Sequence, residues 1–185
     1  MIACDLPGFG RSAPLPAGIE PTVSVCVEAF AGFFTQLGIV RRHVAGESMG
    51  GAIALELARR HDLSSATAFS PAGFWTPAEH RFCQLSLGVL NGLPRPLRPA
   101  IRALASTRVG RVAVFKQTFG WPTRMPAAEA VATLDDAWAA PAFAGALAAF
   151  DQCEFSAGEQ LRRISTSRCT WSGITSTTLW RSTSR

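Results

Sequence analysis

H-V-A-G-E-S-M-G-G-A, His43 to Ala52, is the stretch on which the reading of this chain turns. His43 to Glu47 reads as a short strand. Met49 to Arg60 reads as a helix, with Ile53, Leu55, Leu57 and Ala58 apolar. Arg59, Arg60 and His61 close that helix at the end where the dipole favours positive charge. Between strand and helix, Gly46-Glu47-Ser48-Met49-Gly50 spells G-x-S-x-G. A serine on a sharp strand-to-helix turn has its hydroxyl raised above the sheet. Gly46 and Gly50 are expected because a β-carbon would clash where strand and helix approach, and Gly51 and Ala52 extend the small-residue contact. The helix N-terminus beside the serine lets the Met49 N–H face a developing oxyanion. Ser48 is therefore the candidate nucleophile, Met49 a candidate backbone oxyanion donor, and Gly46 and Gly50 the candidate turn glycines. A glycine-rich turn in some other α/β fold would use the same residues without chemistry. The placement between a strand and a helix separates the two readings.

Working outward, M-I-A-C-D-L (Met1 to Leu6) is an apolar run ended by Pro7 and Gly8, predicted as a buried strand already under way at Met1. Thr22 to Leu37 predicts a helix, with Val23, Val25, Cys26, Phe30, Phe33, Phe34 and Leu37 at helical spacing. Thr22 would cap its start and Gly38 its end. Ser65 to Ser70 predicts a third strand, stopped by Pro71. Strands alternating with helices imply a parallel sheet covered on both faces. Beyond Phe74 the alternation stops. Helices are predicted around Pro77–Leu90, Pro99–Phe119 and Pro126–Phe150, forming an all-helical insertion that overlies the strand ends, where α/β ligands bind. From Ser165 to Arg185, 12 of 21 residues are Ser or Thr, predicting an irregular tail. The expected division is a core over 1–74, a helical cap over 75–150, a return to the core over 151–164 and the tail over 165–185.

The chain has 185 residues, 48% apolar and 17% charged, a globular composition. Asp5, Pro7, Gly8 and Gly10 are not expected in a secretory signal, and the longest apolar stretch, Ala137 to Phe150, is too short to span a bilayer. Five cysteines without CxxC spacing predict neither a disulfide framework nor a zinc site, and each reads as a buried thiol in a reducing, cytoplasmic setting. Net charge is +5, yet His80 to Ala128 holds eight Lys or Arg and no acid. Such a segment attracts nucleic acid, anionic membrane or acidic substrate, or is simply a solvated helical face. No nucleic-acid-binding signature accompanies it. Gly8-Phe9-Gly10-Arg11-Ser12-Ala13 fits the dinucleotide pattern G-x-G-x-x-A, but that pattern requires a helix opening at the loop, which Pro14 and Pro16 prevent.

D-L-P-G-F-G-R-S (Asp5 to Ser12), then a helix, then H-V-A-G-E-S-M-G-G-A (His43 to Ala52), then S-P-A-G-F (Ser70 to Phe74) resembles the α/β-hydrolase superfamily, in its serine-nucleophile branch with a helical cap. The resemblance runs from about Met1 to Ile164. It implies a partial α/β-hydrolase fold, a parallel sheet core with an inserted helical cap, and truncation at both ends. It also implies a serine nucleophile at Ser48, a second oxyanion donor from an upstream loop, and an acid and a histidine following the cap in the order Ser, Asp, His. Nothing after Glu159 is Asp, Glu or His. His43 would enter the sheet at the wrong end, His61 ends the helix after Ser48, and His80 opens the cap. Asp135, Asp136 and Asp151 have no histidine to orient. Leu161 to Ile164 resembles the lead-in to the acid-bearing strand, and a shifted reading frame after Ile164 would account for the missing acid. The implied activity is hydrolysis of an ester or related acyl bond of a small hydrophobic acyl or aryl substrate, impaired in this chain. No cofactor, metal, nucleic-acid partner or membrane span is expected. A non-catalytic remnant that binds apolar ligands is the alternative.

Overall fold

The computed structural model describes residues 1–152 and the backbone of 168–172 and 177–178. Within it the chain forms two compact units, Met1–Leu15 with Pro77–Leu147 and Pro16–Thr76 with Ala148–Arg185.

The second unit carries the sheet. Helix α1 spans Val23–Gln36; Thr22 caps it by accepting a hydrogen bond from the Val25 N–H at 3.2 Å, and Gly38 leaves it at φ 63°. Strand β1 is His43–Glu47, helix α2 is Met49–Arg60 and strand β2 is Ser65–Phe69. β1 and β2 run parallel with Glu47 opposite Phe69. α2 lies against both strands and against α1, and nearly every residue from Met49 to Ala58 is buried. Ala66 and Ala68 of β2 meet it with small side chains, so the helix approaches closely. Glu56 is almost fully buried, at 7% exposure, because Arg59 and Arg60 from the next turn both bond its carboxylate. Arg60 also reaches Ser24 at 3.0 Å and Glu28 at 3.4 Å, tying α2 to α1.

The sheet continues where the sequence predicts an irregular tail. Strand β3, Arg168–Ser172, pairs parallel with β2, and β4, Thr177–Thr178, pairs antiparallel with β3. The free edge of β2 offers a row of backbone donors and acceptors, and R-C-T-W-S contains residue types that suit a pleated surface. Composition alone does not register such pairing. The strand predicted within Met1 to Leu6 is not formed; Met1–Asp5 is exposed and without strand pairing. A strand needs a neighbour to satisfy its backbone, and among the described residues β1 pairs only with β2.

The first unit is helical. α3 is Pro77–Asn91, α4 Arg98–Ser106, α5 Arg108–Phe115, α6 Ala127–Ala139 and α7 Phe143–Ala148. The single helix predicted over Pro99–Phe119 is two helices. Thr107 leaves helical space at φ −91°, ψ 155°, ending α4 and capping α5 through its hydroxyl, which accepts from the Gly110 N–H at 3.0 Å. The Pro126–Phe150 segment breaks likewise at Ala140, held extended by Pro141. Ala105, Phe115, Met125, Ala130 and Leu134 form the core, with Leu90, Ile101, Val114 and Trp138 packed on it. The Trp138 indole donates to the Leu90 carbonyl at 2.8 Å, and Arg98 and Arg102 lie over its ring. Arg102 also pairs with Asp135. Met1–Leu15 belongs to this unit because Gly8 meets the start of α7: the Ala142 N–H donates to the Gly8 carbonyl, and the Phe9 ring lies tilted against Phe143.

Candidate active site

Ser48 stands between the last residue of β1 and the first of α2, with φ 51° and ψ −116°. A positive φ in a residue with a β-carbon costs of the order of 1–3 kcal/mol and persists only where surrounding contacts impose it. Here three backbone bonds do so. The Ser48 N–H donates to Phe69 O at 2.9 Å, and Ser48 O accepts from Ala52 N at 3.1 Å and from Ala72 N at 3.0 Å. The serine is exposed. Met49 opens α2, so its N–H has no intrahelical acceptor four residues back and lies next to the serine in the chain.

The two turn glycines behave differently. A β-carbon on Gly46 would stand 2.1 Å from Gly50 O and 2.2 Å from Gly50 C. Gly46 is therefore obligatory. A β-carbon on Gly50 would meet nothing within 4 Å, so the predicted clash there is absent. The second tight contact is at Gly51, whose β-carbon would come within 3.1 Å of Pro71 and 3.2 Å of Gly46 O. Side chains leave a helix about 100° apart, and it is the third residue of α2, rather than the second, that is turned toward the loop following β2.

That loop holds a feature the sequence reading passed over. Ser70 also has positive φ, 42°, and it follows Phe69, the register partner of Glu47. Two strained serines thus end neighbouring strands. S-P-A-G-F carried the only hint, because the residue before a proline normally stays extended.

No histidine of this unit accompanies Ser48 among the described residues. His43 opens β1, five residues or about 16 Å along the strand, where its Nδ1 lies 2.8 Å from Ser65 Oγ. His61 closes α2, about 20 Å along the helix axis. His80 lies in α3, in the other unit. Asp135 is engaged by Arg102 at 2.7 Å. The acidic residue Asp5 has a structural occupation: its carboxylate accepts from the Arg11 N–H at 3.0 Å and its carbonyl from the Ser12 hydroxyl at 2.8 Å, closing the D-L-P-G-F-G-R-S loop. Gly10, at φ 52°, is required there because a β-carbon would strike that carboxylate. No helix opens at this loop, so the glycine pattern lacks the geometry of a dinucleotide site.

Of the aromatic residues beyond Phe74, Phe115 and Trp138 are engaged in the helical core, and Trp121 is 70% exposed. Phe74 and Trp75 remain in the unit of Ser48, with Trp75 packed on Phe150 at 5.3 Å between ring centroids. Cys26 is buried and its thiol pushed up by desolvation, and Cys83 is half-buried and likewise raised; Cys4 is exposed, against expectation. Among the described residues no group of three or more His, Cys, Asp or Glu could hold a metal ion, and no helix is long and apolar enough to cross a membrane.

The strand–turn–helix geometry at Ser48 accords with what the chain matches. The Alpha/beta hydrolase family is matched over residues 1–183. The chain belongs to that family. The family member resembles a bacterial membrane phospholipase A, a virulence factor, with a TM-score of 0.63 and 26% identity over 90% of this chain and 52% of that one. Over 76 residues it is 40% identical to the dihydrolipoyllysine-residue acetyltransferase component of the acetoin cleaving system of Cupriavidus necator, covering 40% of this chain and 20% of that protein. A thermophilic esterase from Thermogutta terrifontis superposes with a TM-score of 0.46 at 16% identity, covering 92% of this chain and 70% of that one. This chain thus spans about half the length of the phospholipase and a fifth of the acetyltransferase component.

Proposed function

We propose that this α/β hydrolase chain carries the nucleophile half of an ester hydrolase for small hydrophobic acyl or aryl substrates, with Ser48 as nucleophile. The observation that carries the reading is the strained, exposed Ser48 at a strand-to-helix turn pinned by three backbone bonds. In this role the Ser48 Oγ adds to the ester carbonyl carbon, losing its proton to a base. The carbonyl oxygen takes up the negative charge beside the Met49 N–H, and collapse expels the alcohol to leave an acyl-serine that water then cleaves. Gly46 and Gly51 keep strand and helix close enough for that N–H to stay beside the serine. Phe74 and Trp75 supply apolar surface in the same unit. The resemblance to a phospholipase A at 26% identity supports an ester substrate with an apolar acyl group.

The test is turnover of a p-nitrophenyl ester by the 185-residue chain and by Ser48→Ala, with fluorophosphonate labelling in parallel. Because His43 and His61 lie far along β1 and α2, neither described histidine of this unit can serve Ser48 as base. Turnover should depend on Ser48 yet fall orders of magnitude below about 10 per second. Turnover or labelling unchanged in Ser48→Ala would end the proposal. The second reading, an apolar-ligand binder without catalysis, rests on that same distance of both histidines from the serine, and it predicts no Ser48-dependent turnover at all.

A further inference from the structure

We infer that the outer face of α5, with the loop that follows it, is a docking surface for an anionic lipid bilayer, independent of the chemistry at Ser48. α5 buries Gly110, Arg111 and Phe115. At 100° per residue, Arg108, Val112, Lys116 and Val109 fall in that order within an arc of about 100°, which runs from beside the buried Phe115 toward the exposed Ala113. All four are exposed, Val109 at 80% and Val112 at 37%. Cations and apolar side chains thus alternate across one narrow face. The following loop adds to it. Lys116 Nζ donates to the Gly120 carbonyl at 3.3 Å, which holds Trp121 beside the end of α5, and the Arg124 guanidinium lies 5.3 Å over the Trp121 ring. Trp121 itself is 70% exposed.

No Asp or Glu lies between His80 and Ala128, so nothing within this segment neutralises the face. The bland alternative is a solvated helix, for which two valines and a tryptophan exposed among cations gain nothing, whereas at a bilayer surface each would be buried. A second copy of the chain would bring the same positive charges together. A bilayer with anionic headgroups offers negative charge at its surface and hydrocarbon a few ångströms below, matching cations and apolar side chains set at the same level. The indole of Trp121 suits the boundary between them.

The test is sedimentation of the full 185-residue chain with vesicles of phosphatidylglycerol and phosphatidylcholine, against vesicles of phosphatidylcholine alone. Binding to the anionic vesicles should be at least tenfold stronger. Arg108→Gln with Lys116→Gln should weaken it about twenty-five-fold, at about fivefold per cation. Val109→Ser, Val112→Ser and Trp121→Ser together should weaken it at least tenfold with the charge unchanged. Ser48→Ala should bind as the parent does, which separates this surface from the proposed active site. The substituted positions are exposed, and circular dichroism verifies that each variant keeps its helices; the charge pair and the apolar triple each test the proposal alone. Equal binding to both vesicle types would overturn it. So would apolar variants that bind like the parent, since attraction would then be charge alone. A dimer seen by light scattering and broken by Val109→Ser and Val112→Ser, without vesicle binding, would assign the face to a second copy instead.

Discussion

Two corners of this protein bring backbone to backbone at a glycine, and they differ in what they store. At the turn after β1, a β-carbon on Gly46 would lie 2.1 Å from Gly50 O; at the corner between α4 and α5, one on Gly110 would lie 1.8 Å from Leu104 O. Sterically the two are equivalent. Conformationally they are not. The α4–α5 corner turns at Thr107, in ordinary extended space and with its hydroxyl satisfying a helix N–H. The β1–α2 turn runs through Ser48 at positive φ, with a second strained serine, Ser70, alongside. A tight corner can be built without strain, so close approach of backbone alone does not require the strain at Ser48. Their supports differ as well. α2 is locked by a buried carboxylate between two arginines, whereas the α4–α5 corner is held by Arg111, which donates to the Ala105 and Ser106 carbonyls and involves no acid.

The largest effects test the equivalence. Gly46→Ala and Gly110→Ala should each cost about 3 kcal/mol or more in urea unfolding, as backbone atoms must move apart; a cost under about 1 kcal/mol at either would mean that the corner opens freely. Next comes the difference in support. Burial raises the Glu56 carboxyl, and its bonds to Arg59 and Arg60 overcome this and hold it below the usual carboxylate range. A lowered folded value means that the contribution is full above about pH 4.5, the unperturbed value, and is lost as pH falls through the folded one. Glu56→Gln should therefore destabilise by about 2 kcal/mol at pH 7, with the gap closing on acidification. A gap constant with pH would show that the carboxylate is not what locks α2. Hydrogen exchange should show the α2 amides losing protection in acid before those of α5.

Strain itself is read by Ser48→Gly against Ser48→Ala. Glycine should be the more stable by about 1 kcal/mol, since it adopts positive φ without penalty. The reverse order would remove strain from the account. At the unstrained corner, Thr107→Ala should cost about 1 kcal/mol and Thr107→Gly only a few tenths. The smallest effect separates the two neighbouring glycines of the motif. Gly50→Ala has open space in a helix and should be neutral or stabilise by up to about 1 kcal/mol, whereas sequence reasoning expected a clash.

The elements around Ser48 were legible in the sequence because they rest on local rules. Alternation, the Thr22 cap, the Gly38 exit and the G-x-S-x-G spacing all act within a few residues, and α1, β1, α2 and β2 appear where those signals lie. Gly110 and Thr107 were not legible. A threonine and a glycine amid apolar helix formers do not break a periodic pattern, and the Leu104 carbonyl that requires Gly110 is placed by the corner itself. Met1–Asp5 shows the converse: its composition suits a strand, but a strand exists only with a partner.

The candidate site divides along the same line. By itself the sequence determined the family, the position of Ser48 between strand and helix, and the distance of His43 and His61, since each follows from spacing along a regular element. Only the tertiary structure decided that Gly51 rather than Gly50 makes the second close contact, that Ser70 shares the strain, that Phe115 and Trp138 belong to the core, and that Val109, Val112 and Trp121 stand exposed among cations. Those depend on which atoms of distant residues meet, and a linear pattern carries the period of a side chain but not the identity of what it faces.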